Sequence, residues 1–283
     1  MWKVLTLGHC SPGLIALAGA LSVAVCPARA RDDVKYPDLK GEWMRLGSGS
    51  FDPSKPAGLG QKAPLTAEYQ AVLEASLADQ AAGGQGNDPT YTCIAPGLPR
   101  IMNNYEGAEF VITPSTTHVL MEHIYDFRRI YTDGRDWPDD IDPSFAGYSI
   151  GKWIDAGGTG RFDVLEVETR GFKGPRSYDN TGLPLHPDNQ SIIKERIFQD
   201  KADANILYDE ITTIDHALTR PWTATKTYRH AQKPTWRESV CVENNPHVEI
   251  ANQGYMLSAD GYLMPAKKDQ PPPDLRYFTR SQK

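Results

Sequence analysis

The sequence has few cysteines and no excess of positive charge, and it lacks the short motifs of nucleotide-dependent enzymes. Its four cysteines form no CxxC pair, so no cysteine-based zinc or redox centre is predicted. It contains neither a P-loop nor a GxGxxG string, which argues against P-loop and nicotinamide enzymes. Acidic residues outnumber basic ones by 36 to 30. This balance disfavours DNA, RNA or an anionic membrane surface as a partner.

The first thirty residues have the pattern of a removable signal peptide. Lys3 gives a positive start, residues 14–25 are apolar, and Ala28–Ala30 is a small-x-small cleavage site. The apolar run is shorter than the ~20 residues that span a bilayer. We therefore predict export to the periplasm or the extracellular space, with no membrane span. The alternative is a lipid anchor on Cys26, which is disfavoured because small residues and a leucine do not precede it.

Removal of this segment changes both the charge and the cysteine content. The loss of Lys3 and Arg29 leaves 28 basic residues and deepens the net charge from −6 to −8. Only Cys93 and Cys241 remain, and an even pair in an exported chain most simply forms a disulfide. Such a bond would close a loop of roughly 148 residues and contribute on the order of 4–5 kcal/mol.

Residues 31–283 are predicted to form one all-β domain, an antiparallel barrel with a single helix near its N-terminus. Within the loop-rich segment 31–100, Thr66 can cap a helix over Ala67–Ala82. Beyond Glu109, short β-branched and aromatic runs alternate with turn residues at the spacing of a barrel or sandwich. The prolines from Pro271 onward predict an extended C-terminal tail. The predicted strands are 109–112, 117–124, 127–131, 148–153, 162–169, 191–198, 206–214, 223–229 and 236–242.

Two resemblances to known families are present. Gly41–Trp43 resembles the Gly-x-Trp element that begins the first strand of lipocalin-like proteins, which implies a ligand-binding barrel. The strings RIYTDGR (Arg129–Arg135), GYSIGKW (Gly147–Trp153) and RPW (Arg220–Trp222) resemble a family of exported bacterial proteins. This second resemblance spans most of the mature chain and implies export and a single domain. It implies no catalytic residue, because no activity is established for that family.

Strand parity makes Glu195 a candidate catalytic carboxylate. In the strand 191–198 it shares a face with Ile193 and Ile197, while the basic residues lie on the other face. If the isoleucine face is the interior, the carboxylate is buried and its pKa rises, which suits a general acid or base. The alternatives are that the basic face is the interior, or that Glu195 is a structural ion-pair partner.

Two histidines are candidate partners for this carboxylate. His118 can face a cavity from the strand 117–124, and His186 lies in a proline-flanked loop of the kind found at a barrel mouth. His216, which follows Asp215, is a similar case. Neighbours in sequence need not be partners in space, so a structural role is open for each histidine.

Four further residues are candidates for contact with a substrate: Arg129, Tyr131, Tyr148 and Trp222. The adjacent Arg128 and Arg129 place one guanidinium on each face of their strand, and one of the two could bind a substrate carboxylate or an internal acid. An outer and an inner structural salt bridge are the alternative. The aromatic residues would contact an apolar or aromatic ligand.

One segment matches a metal-binding motif in part. Asp155, Asp163 and Glu166 occupy positions 1, 9 and 12 of a twelve-residue calcium loop. Positions 3 and 5 lack strong oxygen donors, and the segment leads into a strand and not a helix. A Gly-rich hairpin loop is therefore the preferred interpretation, and no metal or other cofactor is predicted.

Two main hypotheses about function follow. The first is an exported, cofactor-free lyase, isomerase, hydratase or hydrolase, in which Glu195 and His186 or His118 act on a small apolar or aromatic molecule inside the barrel. The second is a lipocalin-like binding protein with the same cavity and no chemistry. A structural or calcium-stiffened envelope protein is the third possibility. The enzyme hypothesis requires an acid–base pair within hydrogen-bond reach around empty space, and a Glu195 that pairs only with arginine would remove its main support.

Overall fold

The computed structural model describes most of the chain beyond the predicted signal peptide. The signal peptide and the alternative anchor at Cys26 lie outside the described residues, as does the tail beyond residue 272. The described residues are 35–47, 62–82, 84–103, 107–122, 127–236, 241, 247–250, 253–257 and 262–272.

Nine strands form a closed barrel, which confirms the prediction of an all-β barrel with one helix in the described part of the chain. Around the barrel the strands follow their order in the sequence, and the ninth pairs with the first. Most strand bounds lie within one or two residues of those predicted. The strands are β1 (Glu42–Leu46), β2 (Ala108–Ile112), β3 (Thr116–Met121), β4 (Phe127–Tyr131), β5 (Tyr148–Ile154), β6 (Val164–Arg170), β7 (Ile192–Gln199), β8 (Ile206–Ile214) and β9 (Trp222–His230).

One pair of neighbouring strands departs from the predicted antiparallel arrangement. β4 and β5 run parallel, and only two residue pairs are in register, Ile130 with Ser149 and Tyr131 with Ile150. Parallel neighbours need a crossover of about a dozen residues or more, and residues 132–147 provide it. Few backbone hydrogen bonds therefore hold the barrel together along this seam.

Alternate residues of each strand point into the barrel, as the pleat of a strand requires. In β7, Ile193, Glu195 and Ile197 are buried, whereas Lys194 and Arg196 are exposed. The face that carries Glu195 is therefore the interior. The apolar core of the barrel includes Trp43, Phe110, Met121, Ile130, Trp153, Leu165, Leu207, Ile211 and Tyr228.

The helix α1 (Ala67–Ala81) begins where it was predicted, because the Thr66 side chain accepts a hydrogen bond from the backbone N–H of Tyr69 (3.4 Å). The spacing of Tyr69, Val72, Leu73 and Leu77 predicts that these side chains form the buried face, but the observed face is different. Leu73 and Ser76 are buried, and Ser76 Oγ donates to the carbonyl oxygen of Thr181 (2.8 Å), while Val72 and Leu77 are exposed. Polar contacts with the loop that contains Thr181 thus help to set the helix orientation.

A second, three-stranded sheet was not predicted. It consists of β10 (His247–Ile250), β11 (Gln253–Leu257) and β12 (Leu263–Pro265), all antiparallel. A strand was predicted over 236–242, but Trp236 and Cys241, the two residues of that range that are described, are not in a strand. Cys241 forms the disulfide and lies in the segment that precedes the second sheet.

The predicted disulfide between Cys93 and Cys241 is present, with a Cα–Cα distance of 5.4 Å. It joins the loop that precedes β2 to the segment that follows β9, 148 residues further along the chain. Such a bond fits a protein that is exported to an oxidising compartment. Among the helices that the structure describes, none has the length and apolar character to cross a membrane.

We expect the disulfide to stabilise the fold strongly, because it restricts the unfolded chain over a long loop. Replacing both cysteines, Cys93→Ala with Cys241→Ala, should lower the free energy of unfolding by about 4 kcal/mol in the chain-entropy model. Guanidinium denaturation of the two forms measures the difference. Reduction of the wild-type protein should give a similar loss, and a change below about 1 kcal/mol in both experiments would contradict the expectation.

Candidate functional site

Glu195 forms a two-pronged ion pair with Arg128 inside the barrel. Arg128 Nη1 donates to Oε1 (2.7 Å) and Nη2 to Oε2, and both side chains are almost fully buried. The guanidinium also donates to Thr169 Oγ1 (3.0 Å) and to Ser149 Oγ (3.4 Å). Glu195 is thus a structural ion-pair partner, which is one of the alternatives that the strand pattern allowed. Both of its carboxylate oxygens accept hydrogen bonds from Arg128.

The two candidate histidines lie elsewhere. His118 is on the outer face of β3, where its cross-strand partner is Arg129, and His186 is in the loop between β6 and β7. Neither makes a hydrogen bond with Glu195 in the described structure. His118 faces outward because Thr117, Val119 and Met121 occupy the inward positions of the same strand. The structure therefore does not assemble the predicted acid–base pair.

His186 instead belongs to a cluster that joins two loops at one end of the barrel. Asp188 lies between two imidazoles: Nδ1 of His186 is 3.0 Å from Oδ1, and Nδ1 of His216 is 2.6 Å from Oδ2. The imidazole centres are 5.5 Å apart, and the ring of Tyr69 lies 5.6 Å from His186. The hydrogen bond from the backbone N–H of Gln190, followed by those from the two histidines, lowers the pKa of Asp188 to about 2.

Asp215 joins these two loops through hydrogen bonds to their backbones. Its Oδ1 accepts hydrogen bonds from the backbone N–H groups of His186 (2.9 Å) and Ala217 (2.8 Å), while Oδ2 accepts one from Ser191. Ser191 in turn accepts from Arg176 Nη2 (2.7 Å). Asp215 is buried, so it fixes the loop backbones while the imidazoles remain partly exposed. The sequence places aspartate next to histidine in the second loop but does not show that the loops meet.

Three of the predicted substrate-binding residues share one cleft on the outside of the barrel, not in its interior. Arg129 and Tyr131 from β4 and Tyr148 from β5 line it beside the parallel seam. The cleft has a volume of about 360 Å³. These residues face outward because Arg128 and Ile130 occupy the inward positions of β4. The remaining lining is provided by Ala95, Phe127, Ser144, Phe145, Ala146, Gly147, Ser149 and Lys173.

Aromatic rings and cations alternate around this cleft. The rings of Tyr131 and Tyr148 lie 5.0 Å apart, and the Arg135 guanidinium covers Tyr131 at 3.8 Å. Lys173 lies 4.9 Å from the centre of Phe145, which is also part of the lining. Within the described part of the chain, Arg129 and Lys173 make no ion pair with a carboxylate, whereas Arg135 is paired with Asp133. Arg129 and Lys173 could thus pair with a negatively charged group of a ligand.

Trp222, the fourth predicted substrate-binding residue, is a core residue. It points inward from β9, is 6% exposed, and packs against Tyr178 with the ring centres 4.6 Å apart. Both rings belong to a second apolar cluster that includes Leu73 of the helix. Trp222 therefore does not line the cleft, because its side chain points inward from β9.

A hydrolase-like string was missed in the sequence. Residues Gly147–Gly151 have the Gly-x-Ser-x-Gly pattern, which in α/β hydrolases forms a sharp turn from a strand into a helix. Here the string lies at the start of β5, and Ser149 is buried, with its Oγ 2.8 Å from Thr169 Oγ1. No histidine contacts it among the described residues, so the geometry is not that of a nucleophile elbow.

The weak calcium candidate is a self-bonded hairpin loop. Asp155 accepts hydrogen bonds from the backbone N–H groups of Thr159 (2.9 Å) and Gly160 (2.6 Å), and Asp163 accepts one from Ala156 (2.7 Å). Glu166 lies on the outer face of β6, 3.7 Å from Arg196. The three carboxylates serve different local partners, which supports the hairpin interpretation.

Another buried carboxylate, on β8, was not singled out in the sequence. Neither oxygen of Asp209 has a hydrogen-bond partner among the described residues, and burial, followed by the nearby Glu195, raises its pKa well above the usual value. Its cross-strand neighbour Lys226 is partly buried, and the loss of solvation lowers the pKa of its ammonium group to about 8. Its position among the inward residues of β8, between Leu207 and Ile211, is the signal that could have identified it.

No family model matches the chain, and no curated protein matches it. The lipocalin-like and exported-family resemblances therefore stay predictions.

We expect the buried ion pair to matter far more for stability than an exposed one. Glu195→Gln leaves the buried Arg128 charge without its counter-ion and should lower the free energy of unfolding by about 3 kcal/mol or more. The matched control is Glu166→Gln on the outer face, where the half-exposed pair with Arg196 should be worth less than about 1 kcal/mol. Urea denaturation compares the two variants. Equal losses of unfolding free energy in the two variants would contradict the assignment of Glu195 as a buried ion-pair partner.

Asp209 should make the fold less stable as the pH rises. Below the unfolded-state pKa of ~3.9 the carboxyl is protonated in both states. Above that value only the unfolded state ionises, so the free energy of unfolding falls until the pH passes the raised native pKa. Asp209→Asn should remove this dependence and raise stability at pH 7 by about 1–3 kcal/mol. Melting curves from pH 4 to pH 8 test this, with the exposed Asp142→Asn as control, and a variant less stable than wild type at pH 7 would refute it.

Proposed function

We propose that the protein is an exported binding protein for small organic anions that carry an aromatic or apolar ring, held in the cleft beside β4 and β5. The observation that carries this proposal is the lining of that cleft, in which aromatic side chains accompany Arg129 and Lys173, two cations that make no ion pair with a carboxylate in the described part of the chain. Export to the periplasm or the extracellular space is part of the proposal. The disulfide and the signal-peptide pattern support it.

The cleft offers both kinds of contact that such a ligand needs. Tyr131, Tyr148 and Phe145 present ring surfaces that can stack on a planar apolar body. Arg129 presents a planar guanidinium that can donate two parallel hydrogen bonds to a carboxylate, and Lys173 adds a second positive charge. The volume of about 360 Å³ suits a small molecule, near the lower end of known ligand pockets.

Binding without catalysis is favoured over the cofactor-free enzyme. The carboxylate that was to act as acid or base, Glu195, is bonded to Arg128 inside the barrel. His118 lies outside the lining of the cleft, and His186 lies in a loop at another place on the barrel. A ligand in the cleft would meet cations and phenols but no carboxylate–histidine pair in the described structure.

Isothermal titration calorimetry with matched probes tests the proposal. We expect the protein to bind 2-naphthoate and to bind the neutral 2-naphthalenemethanol at least tenfold more weakly, because only the carboxylate can pair with Arg129. Arg129→Ala should weaken naphthoate binding roughly tenfold, equivalent to about 1.4 kcal/mol. The matched control, Arg229→Ala on the outer face of β9, should leave it unchanged. Equal binding of the two probes, or equal effects of the two variants, would overturn the proposal.

A further inference from the structure

The cluster of His186, Asp188 and His216 has no part in the proposed ligand site. Its residues come from the β6–β7 and β8–β9 loops, whereas the cleft lies beside β4 and β5. Two imidazole nitrogens and one carboxylate oxygen lie within 4.8 Å of one another there. We propose that these three side chains form a binding site for a divalent transition-metal ion of the zinc type.

The contacts within the cluster bring three potential ligand atoms close together. Nδ1 of His186 lies 3.0 Å from Oδ1 of Asp188 and 3.2 Å from the backbone nitrogen of the same residue. Nδ1 of His216 lies 2.6 Å from Oδ2 of Asp188. The carboxylate thus lies between two imidazoles, and a cation bound by all three side chains would replace these contacts with coordinate bonds.

The distances suit a metal after small side-chain rotations. Bonds of about 2.0–2.2 Å from zinc to histidine nitrogen and carboxylate oxygen place neighbouring tetrahedral ligand atoms about 3.3 Å apart. The separations in the cluster, from 2.6 Å to at most 4.8 Å, lie on both sides of that value. His216 is 69% exposed, so its ring can turn toward an ion without disturbing the core.

The support beneath the cluster keeps the ligands in place. Asp215 binds the backbone on both loops, at His186 and at Ala217. The prolines that flank the first loop, Pro184 and Pro187, further restrict its backbone. Because these contacts restrict the backbone of both loops, ion binding requires little rearrangement beyond the ordering of three side chains.

The donor set selects the class of metal. Two imidazoles and one carboxylate suit zinc, nickel, copper or ferrous iron, whereas calcium and magnesium take oxygen donors throughout. Three protein ligands leave at least one coordination position for water or for an external ligand. The site is therefore of the open kind, on the rim of the barrel and accessible from solvent.

Titration of the tag-free protein with zinc chloride, followed by calorimetry, tests the site. We expect one zinc ion per chain and no binding of calcium at the same concentrations. His216→Ala and Asp188→Asn should each weaken zinc binding at least tenfold, while the matched control His118→Ala, which removes an outer-face histidine of β3, should bind as the wild type does.

A second measurement separates loss of the site from loss of the fold. Zinc should raise the melting temperature of the wild type and of His118→Ala, because a ligand that binds only the native state stabilises it. It should leave the melting temperature of His216→Ala unchanged, and the far-ultraviolet circular dichroism of that variant should match the wild type. Absence of zinc binding, full zinc binding in His216→Ala, or a loss in His118→Ala would each overturn the proposal.

Discussion

The ion pair between Arg128 and Glu195 is the interaction on which the barrel most depends. It spans the interior from β4 to β7, and the hydroxyl groups of Ser149 on β5 and Thr169 on β6 complete it. Four consecutive strands are thus tied to one guanidinium. The tie crosses the seam where β4 and β5 pair in parallel over two residue pairs, so side-chain hydrogen bonds supplement a weak backbone ladder there.

The same constraint positions the ligand cleft. With Arg128 directed inward, the alternation of the strand directs Phe127, Arg129 and Tyr131 outward. The crossover 132–147 returns the chain to the start of β5 and brings Phe145 and Tyr148 to the same outer face. A buried charge pair thereby fixes which residues are available to a ligand. Ser149, which bonds to Arg128 and also lines the cleft, connects the two regions directly.

The loop cluster shows the same division between a fixed support and accessible side chains. Asp215 is buried and satisfies backbone N–H groups on both loops, while the imidazole of His216 projects into solvent. Two separate regions, the cleft and the loop cluster, thus have cationic or metal-ligating groups at the surface and a buried carboxylate that holds the neighbouring backbone or side chains in place. In both, a buried carboxylate has a structural role, and more exposed side chains on the segments that it binds carry the proposed chemistry.

Some site residues could be placed from the sequence, because strand parity is a local property. The alternation Ile193, Glu195, Ile197 correctly indicates which face of β7 is inside. This alternation could not show which residue Glu195 contacts, since its partner lies 67 positions away on β4. It also left His118 on the wrong side, because the strand 117–124 offers apolar residues on both faces and only closure of the barrel decides between them.

The sequence by itself determined the helix start at Thr66, most strand bounds and the pairing of Cys93 with Cys241. These follow from short-range capping and alternation, and from the small number of cysteines outside the predicted signal peptide. Only the tertiary structure decided that β4 and β5 run parallel, that Arg129 faces an outer cleft, and that His186 meets His216. Each of these depends on which distant segments become neighbours when the barrel closes, and residue spacing along one chain carries no such information.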